Sequence, residues 1–379
     1  MLDNTWQQRF PVMYRFLQYF NWPFFGVLMV LVTSGLINLY SATSLWADAS
    51  GVQLFWAQLA AVCLGSFFMV ICIFFDYRLF KEGATPLFIL SLLLLLAALL
   101  FGPEIKGTRG WIRIGGLGLQ PSEFAKLAYI FMAARYFSNN PSTTPAGYGF
   151  SELWRPFLLM CLPFGLIVLQ GDMGSSLFLI AIFVSLALFI RIRSSILIAC
   201  TILAVAGASV VFLYGIKEYQ RERIFNFMHP EADVKGSGYH LVQSKIAVGS
   251  GKLFGKGYMK GNINKLRYLP EKHTDFIFPV LAEEWGFVGS TFVLGLYAAL
   301  MLMGVEIAAK ARDRFGSFVA IGIVAWVFWQ LVINLGGVLG LMPLTGVTLP
   351  FLSYGGSSLV TLLIAMGVLL NIHLRRFVF

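Results

Sequence analysis

Two short segments of this sequence place carboxylates and cations at spacings that could support group-transfer chemistry. In the first segment, Glu123 and Lys126 follow Pro121, a residue suited to a first helical turn. Their i, i+3 spacing puts both side chains on one face of a helix. The pair has two interpretations. It is either an ion pair that neutralises itself inside the protein, or a pair that orients a reaction site and offers the lysine to a phosphate.

The second segment surrounds Asp275, which stands where a polar stretch meets an apolar run. Three cationic or titratable side chains precede it closely: Arg267, Lys272 and His273. An aspartate at the start of a helix is commonly an N-cap, whereas a positioned carboxylate can act as a general base. The residues alone leave both interpretations of Asp275 open.

Other polar segments also interrupt the apolar runs. Asp172 stands in a tight turn, and we expect it to cap the following helix rather than to do chemistry. Glu283 and Glu284 fall inside an apolar run, so they are either partnered within the protein or part of a proton path. The Pro- and Gly-rich stretch 343–358 is either a tight turn or irregular backbone that lines a cavity. Glycines and lysines alternate over 249–261, but no Gly-x-x-x-x-Gly-Lys-Ser/Thr pattern occurs, which excludes a P-loop.

The composition indicates which elements must position these residues. Of 379 residues, 58% are hydrophobic and only 12% are charged, about half the charged share of a soluble domain. The apolar runs are long and continuous, unlike the short alternating strands of a membrane β-barrel. All four cysteines lie inside apolar runs, so no disulfide framework or metal spacing is visible. The sequence therefore predicts an all-α polytopic membrane protein with a single transmembrane domain over 1–379.

About ten transmembrane helices are predicted, with a long extracytoplasmic loop, about 217–275, between the seventh and eighth. The predicted spans are 24–43, 53–75, 84–102, 120–138, 155–170, 174–190, 195–216, 276–304, 317–341 and 354–372. If the N-terminus is inside, thirteen basic residues fall on the inner side and the short outer loops 44–52, 171–173 and 342–353 carry none, although the outer segment 103–126 carries four. Both termini are therefore predicted to be cytoplasmic. The long loop holds eleven basic and six acidic residues. It is either simply solvated or suited to anionic partners such as lipid phosphates or a pyrophosphate-linked substrate.

Five segments together resemble the SEDS family (shape, elongation, division and sporulation). They are Gln120–Glu123, Tyr219–Gln243, Leu269–Phe278, Gly346–Pro350 and Ser353–Ser357, within a resemblance that runs from Trp22 to Arg376. The resemblance implies a ten-helix peptidoglycan glycosyltransferase that polymerises lipid II into glycan strands at the outer face of the cytoplasmic membrane. The short tails favour the rod-shape branch, which acts in cell elongation, over the division branch.

The resemblance also implies residue roles. Asp275 matches the family's essential aspartate and is the expected general base, and Glu123 and Lys126 match its helix-borne pair. Arg109 precedes Gly110, a position where the family has arginine, and is a candidate to replace that arginine. The other candidates for substrate binding or orientation are Lys272, His273, Arg267, Ser353 and Gly355.

The implied reaction fits one carboxylate. The donor's anomeric carbon carries a pyrophosphate-lipid leaving group, so an inverting transfer needs a base only for the acceptor hydroxyl, in contrast to the two carboxyl groups of glycosidases. Cations would stabilise charge on the departing pyrophosphate. No cofactor is evident, and a divalent cation, Mg or Mn, could share that task.

The expected partners are lipid II, the undecaprenyl-pyrophosphate-linked glycan, a class B penicillin-binding protein and the elongation complex with MreC and MreD, with no nucleic acid. The expected location is the bacterial cytoplasmic (inner) membrane. The alternatives are a lipid-linked precursor flippase, a scaffold for a partner synthase, or the division-type polymerase. A flippase needs polar residues through the full bilayer depth, whereas here they cluster in the outer half of the predicted spans, which favours the enzyme.

Overall fold

The computed structural model describes residues 18–44, 50–105, 107–114, 117–142, 147–193, 198, 237–261 and 273–378. Over these residues the chain forms eleven α-helices and one antiparallel pair of short strands. The helices are α1 (Trp22–Ser44), α2 (Ser50–Phe74), α3 (Arg78–Glu82), α4 (Ala84–Phe101), α5 (Pro121–Asn139), α6 (Phe150–Leu169), α7 (Met173–Phe189), α8 (Ser237–Ser250), α9 (Ile277–Ala309), α10 (Arg314–Leu339) and α11 (Gly356–Val378). The strands are β1 (Ile112–Ile114) and β2 (Leu117–Leu119), with Arg113 opposite Gly118.

Nine of the ten predicted spans coincide with helices, to within a few residues at most ends. Seven of the described helices, α1, α2, α4, α6, α9, α10 and α11, are long and apolar enough to cross a membrane, and α7 is a shorter apolar helix. The predicted seventh span, 195–216, lies outside the described residues apart from Ile198. The mainly helical membrane fold is therefore confirmed, and the total helix count stays a prediction.

The helices differ sharply in how deeply they are buried. An 18-residue stretch of α11 is 89% buried and one of α10 is 61% buried, against 28% for α2, α4 and α6. Gly367 on α11 allows α2 to approach closely, because a Cβ there would press on the main chain of Met69. Helices α5, α10 and α11 thus form the interior, and α2, α4 and α6 lie around them with larger exposed faces.

Helix α9 is broken at Gly286, where φ is 67° and ψ is −162°. The main-chain groups freed by the break bond to residues 251–261, which follow α8 and which we call the strap. The Lys256 and Gly257 amides donate to the carbonyls of Glu283 and Glu284 at 2.9 and 3.0 Å. The amides of residues 287 and 288 donate to the carbonyls of residues 252 and 253 at 2.8 and 3.0 Å. A broken helix in an apolar environment is tolerated because other protein groups satisfy its backbone.

The sequence did not predict this arrangement. The predicted span 276–304 coincides with α9 but is broken at Gly286, and the predicted loop 217–275 contains helix α8. The hydropathy of α9 does not report the break, because the stretches 276–282 and 287–304 around it are both mainly apolar.

The two glutamates beside the break are partnered. The Glu283 carboxylate lies 2.6 Å from the Lys256 Nζ, and the Ser41 hydroxyl of α1 lies 2.6 and 2.7 Å from the two Glu284 oxygens. Both glutamates are 1% exposed. Of the two interpretations left open for these glutamates, the structure supports partners within the bundle, since a buried charge needs a nearby counter-charge or donor.

We predict that Gly255→Ala destabilises the protein and that Gly249→Ala does not. Gly255 has φ +78°, and a Cβ there would overlap the Glu284 carbonyl, whereas a Cβ at Gly249, inside α8, meets nothing within 4 Å. The left-handed backbone alone costs an L-residue about 1–2 kcal/mol, and a helical Gly→Ala change gains up to about 1 kcal/mol. Thermal unfolding in detergent measures both. Equal melting temperatures for the two variants would contradict the strap's role in holding α9.

Candidate functional site

The predicted site residue Asp275 lies at the end of the bundle where α5, α9 and α11 begin and α10 ends, which we call the site end. Asp275 is half-buried, and a Cβ built on Gly346 would lie 3.8 Å from its Oδ2. Helix α9 begins at Ile277, its N-cap position is Phe276, and no side chain caps it there. Asp275 therefore stands one residue before the N-cap position.

Three successive main-chain carbonyls, those of residues 273–275, are held from outside their own segment. The Tyr354 amide donates to the first at 2.8 Å and the Ser353 hydroxyl to the second at 2.6 Å. The Asn334 side-chain Nδ2 donates to the third, the carbonyl of Asp275, at 3.0 Å. These bonds fix the backbone that carries the Asp275 carboxylate.

The stretch before α11 is itself anchored to α2. The side chain of Gln58 is buried, and its Nε2 donates to the Ser353 carbonyl at 3.0 Å while its Oε1 accepts from the Gly355 amide at 3.1 Å. The Ser353 hydroxyl also accepts from the Leu349 amide at 2.7 Å. Ser353 and Gly355, both predicted as binding or orienting residues, therefore lie in the framework that holds the segment of Asp275.

The Glu123–Lys126 pair is deeply buried. The carboxylate and ammonium are 2.8 Å apart, with exposed fractions of 5% and 1% for the two residues. The Lys126 Nζ also lies 4.7 Å from the centre of the Phe178 ring and 5.0 Å from that of Trp326, so aromatic faces complete its surroundings. The structure does not present Lys126 to a phosphate.

Residues spaced four apart on α10 connect the two predicted centres. Trp326 contacts Lys126, Gln330 donates to the Thr348 carbonyl at 3.1 Å, and Asn334 holds Asp275. These α10 residues share one helix face, and eight residues of α-helix rise about 12 Å. The ion pair therefore lies roughly two turns along α10 from the level of Asp275.

The start of α5 is tied to two neighbouring helices. The Gln120 amide donates to the Ser357 hydroxyl of α11 at 3.0 Å, and its side-chain Nε2 donates to Asp172 at 3.2 Å. Asp172 also accepts from the Ser175 amide at 3.0 Å, so the predicted cap of α7 is confirmed. One carboxylate thus caps α7 and orients the turn that leads to Glu123.

Arg109 does not occupy the position of the missing family arginine. Its exposed guanidinium pairs with Glu104 at 3.2 Å. Gly110 is buried, and a Cβ there would lie 3.7 Å from the Gln170 Oε1. Among the described residues the Gln170 Oε1 has no hydrogen-bond partner. Arg109 therefore does not donate a hydrogen bond to this acceptor.

The remaining predicted site residues are only partly described. Lys272 and Arg267 lie outside the described residues. His273 is half-buried, with its ring centre 5.9 Å from that of Tyr354. Burial raises the pKa of the Tyr354 hydroxyl, which keeps it neutral near pH 7 and unsuited to act as a base. Over the described part of the chain no cluster of three or more His, Cys, Asp or Glu side chains could hold a metal ion.

Sequence reasoning missed the buried amides Gln58, Gln330 and Asn334. Each lies inside a predicted span, is at most 4% exposed and holds backbone at the site end. The signal that could have found them is the rarity of polar side chains at membrane depth, where they commonly bond to other helices. Neutral amides give this signal more weakly than charged side chains do, because their burial costs less.

Comparison with known proteins agrees with this architecture. The family model for cell cycle proteins FtsW, RodA and SpoVE matches residues 21–377. The peptidoglycan glycosyltransferase MrdB of Escherichia coli K12 is 36% identical over 92% of this chain and 93% of its own. The stage V sporulation protein E of Bacillus subtilis is 37% identical over 91% of this chain and 94% of its own.

A solved structure gives the same result. One chain of a peptidoglycan synthase complex, which coordinates polymerization and crosslinking, superimposes on this chain with a TM-score of 0.81 at 31% identity. The match covers 94% of this chain and 98% of that chain. The protein is thus a multi-pass membrane protein that belongs to the FtsW, RodA and SpoVE family.

Proposed function

We propose that this protein polymerises lipid II into glycan strands at the outer face of the bacterial cytoplasmic membrane, with Asp275 as the general base. The observation that carries the proposal is a half-buried carboxylate on a segment whose three carbonyls are held by other parts of the site end. A base must be held within hydrogen-bond reach of the proton that it removes. Similarity to a protein named as a peptidoglycan glycosyltransferase supports the same activity.

The proposed step is an inverting glycosyl transfer. The acceptor sugar's hydroxyl oxygen attacks the donor's anomeric carbon, and Asp275 takes the hydroxyl proton as the new glycosidic bond forms. The bond to the lipid pyrophosphate breaks, and the leaving group departs with the electron pair. Cations would stabilise the charge on the pyrophosphate, and Arg267 and Lys272, which precede Asp275 closely in the sequence, are the candidates.

The Glu123–Lys126 pair would act by orientation rather than by contact. Its burial and its distance of about two helical turns from Asp275 support a role beneath the site. The Glu123 amide donates to the Gln120 carbonyl at 3.2 Å, and Gln120 in turn bonds to α11 and Asp172. We infer that the pair fixes the geometry of the start of α5, which lies at the site end.

The proposed biological role is cell elongation, with a class B penicillin-binding protein as the transpeptidase partner and with MreC and MreD in the same complex. The resemblance of the Gln120–Lys126 segment to the rod-shape branch supports the elongation role. The likeness to a chain of a solved peptidoglycan synthase complex supports a crosslinking partner. Both termini are proposed to be cytoplasmic, because the basic residues outside the long loop 217–275 concentrate on that side.

We predict that Asp275→Asn abolishes glycan synthesis while leaving the fold intact. Loss of a general base typically costs about 10²–10⁴ in rate, and the hydrogen bonds at residues 273–275 use carbonyls that the substitution keeps. Purified protein with lipid II, analysed on a gel for glycan strands, measures the rate.

The matched control for this prediction is Asp313→Asn. Asp313 is also a half-buried carboxylate, but it caps the start of α10, at the opposite end of that helix from the site end. Its Oδ1 accepts from the Gly316 amide at 2.8 Å, and asparagine keeps a capping oxygen. The control should therefore polymerise lipid II normally. Polymerisation by Asp275→Asn at the wild-type rate would mean that another group is the base.

For the ion pair we predict that single and double neutralisations separate folding from activity. Glu123→Gln or Lys126→Met leaves one buried charge without its counter-charge, which costs about 3–5 kcal/mol. The double variant removes both charges and should recover most of the lost thermal stability, yet stay defective in polymerisation per folded molecule. Recovery of near wild-type activity along with stability would mean that the pair is purely structural.

Cysteine labelling tests the orientation. In a cysteine-free background, Lys260→Cys in the strap should react with a membrane-impermeant maleimide from outside intact cells, and Arg312→Cys between α9 and α10 should react only after lysis. Both positions are exposed. The reverse pattern would put the site end in the cytoplasm and would be incompatible with polymerisation at the outer face.

A further inference from the structure

The side chain of Asn334 bonds at once to the main chain of Asp275 and to that of Val347, in the stretch before α11. Its Nδ2 donates to the carbonyl of Asp275 at 3.0 Å and to that of Val347 at 2.6 Å. The residue is 4% exposed and lies near the end of α10. One amide group therefore joins the segment before α9 to the stretch before α11.

The carbonyl of Asp275 needs such an outside donor. An α-helical bond to that oxygen would come from the amide four residues later, and that residue is Pro279, which has no N–H. Helix α9 therefore cannot satisfy this carbonyl with an i+4 hydrogen bond of its own. A carbonyl left unsatisfied in a partly buried position is costly, and the donor that Asn334 provides holds the main chain of Asp275 in place.

The chemistry of Asn334 fits this task closely. Both of its neighbours are carbonyl oxygens that only accept, so a side chain with two N–H groups satisfies both at once. An aspartate would present two more acceptors to them. The Asn334 Oδ1 has no hydrogen-bond partner among the described residues, which indicates that the donor half of the amide is the half that the site uses.

We propose that Asn334 is a positioning residue for the reaction, fixing the Asp275 carboxylate through its main-chain carbonyl. This inference rests on the proposed role of Asp275 as the base. A displacement of about 1 Å at a reacting group can cost about 10²-fold in rate. We expect replacement of Asn334 to lower kcat rather than to raise KM. Asn334 is buried and bonds to backbone rather than to a surface that substrate reaches.

The test compares Asn334→Ala with Asn38→Ala in purified protein, with lipid II as substrate. Asn38 is the matched control, because it is also buried, its Nδ2 donates to the carbonyl of Ile277 at 3.0 Å, and its Oδ1 also lacks a partner among the described residues. Both variants should lose thermal stability to a similar extent. Only Asn334→Ala should lose about 10²-fold in kcat per folded molecule, with the KM for lipid II unchanged.

Several outcomes would overturn the inference. These are a wild-type kcat in Asn334→Ala, an equal loss of kcat in Asn38→Ala, or a change confined to KM. Where Asn334→Ala yields too little folded protein, Asn334→Ser is measured instead, because serine keeps one donor. Its kcat should lie between those of wild type and an inactive variant. A wild-type kcat in Asn334→Ser overturns the positioning role. An inactive Asp275→Asn together with a wild-type kcat in Asn334→Ala rejects only the positioning role. An active Asp275→Asn rejects the proposed base and the positioning role with it.

Discussion

Main-chain carbonyls that no helix can satisfy are the constraint on which the site end depends. Residues 273–275 lie before α9 begins, and their three carbonyls find donors in other elements. In a water-poor environment each unmet carbonyl would cost several kcal/mol. Groups from α10 and from the stretch before α11, which α2 anchors in turn, meet this need, and in doing so they join elements far apart in the sequence.

The side chains that provide these bonds do not change charge. The amides of Gln58 and Asn334 and the hydroxyl of Ser353 remain neutral at any physiological pH. A carboxylate that gains and loses a proton during a reaction can thus be carried by a framework whose own hydrogen bonds are indifferent to protonation. The charged pair Glu123 and Lys126 is kept apart, about two turns away along α10. The neutral side chains that hold the segment of Asp275 are thus separate from the charged side chains of the ion pair.

The positions of the helices could be predicted from the sequence far better than the hydrogen bonds that hold the site end, and the reasons are physical. Continuous apolar runs mark spans directly, because a helix in lipid must be apolar along its length. The cap at Asp172 was also predictable, since it depends on residues within one turn. The bonds that hold the segment of Asp275 were not, because Asn334 and Ser353 lie 59 and 79 residues from the carbonyls they hold and no local pattern pairs them. The break in α9 shows the same limit: Gly286 is one glycine among 38, and only the contact with the strap identifies it as the point where the helix ends and restarts.

The break also has a consequence for how the chain enters the membrane. Four main-chain bonds of α9 are made with the strap, which is synthesised about thirty residues earlier. While α9 lacks those bonds, the two carbonyls before the break and the two amides after it favour water over lipid. The start of α9 is therefore expected to settle in the bilayer only when the strap folds back against it. Insertion of this helix then becomes a step of tertiary folding, in which a late helix and an earlier extramembrane segment enter their final positions together.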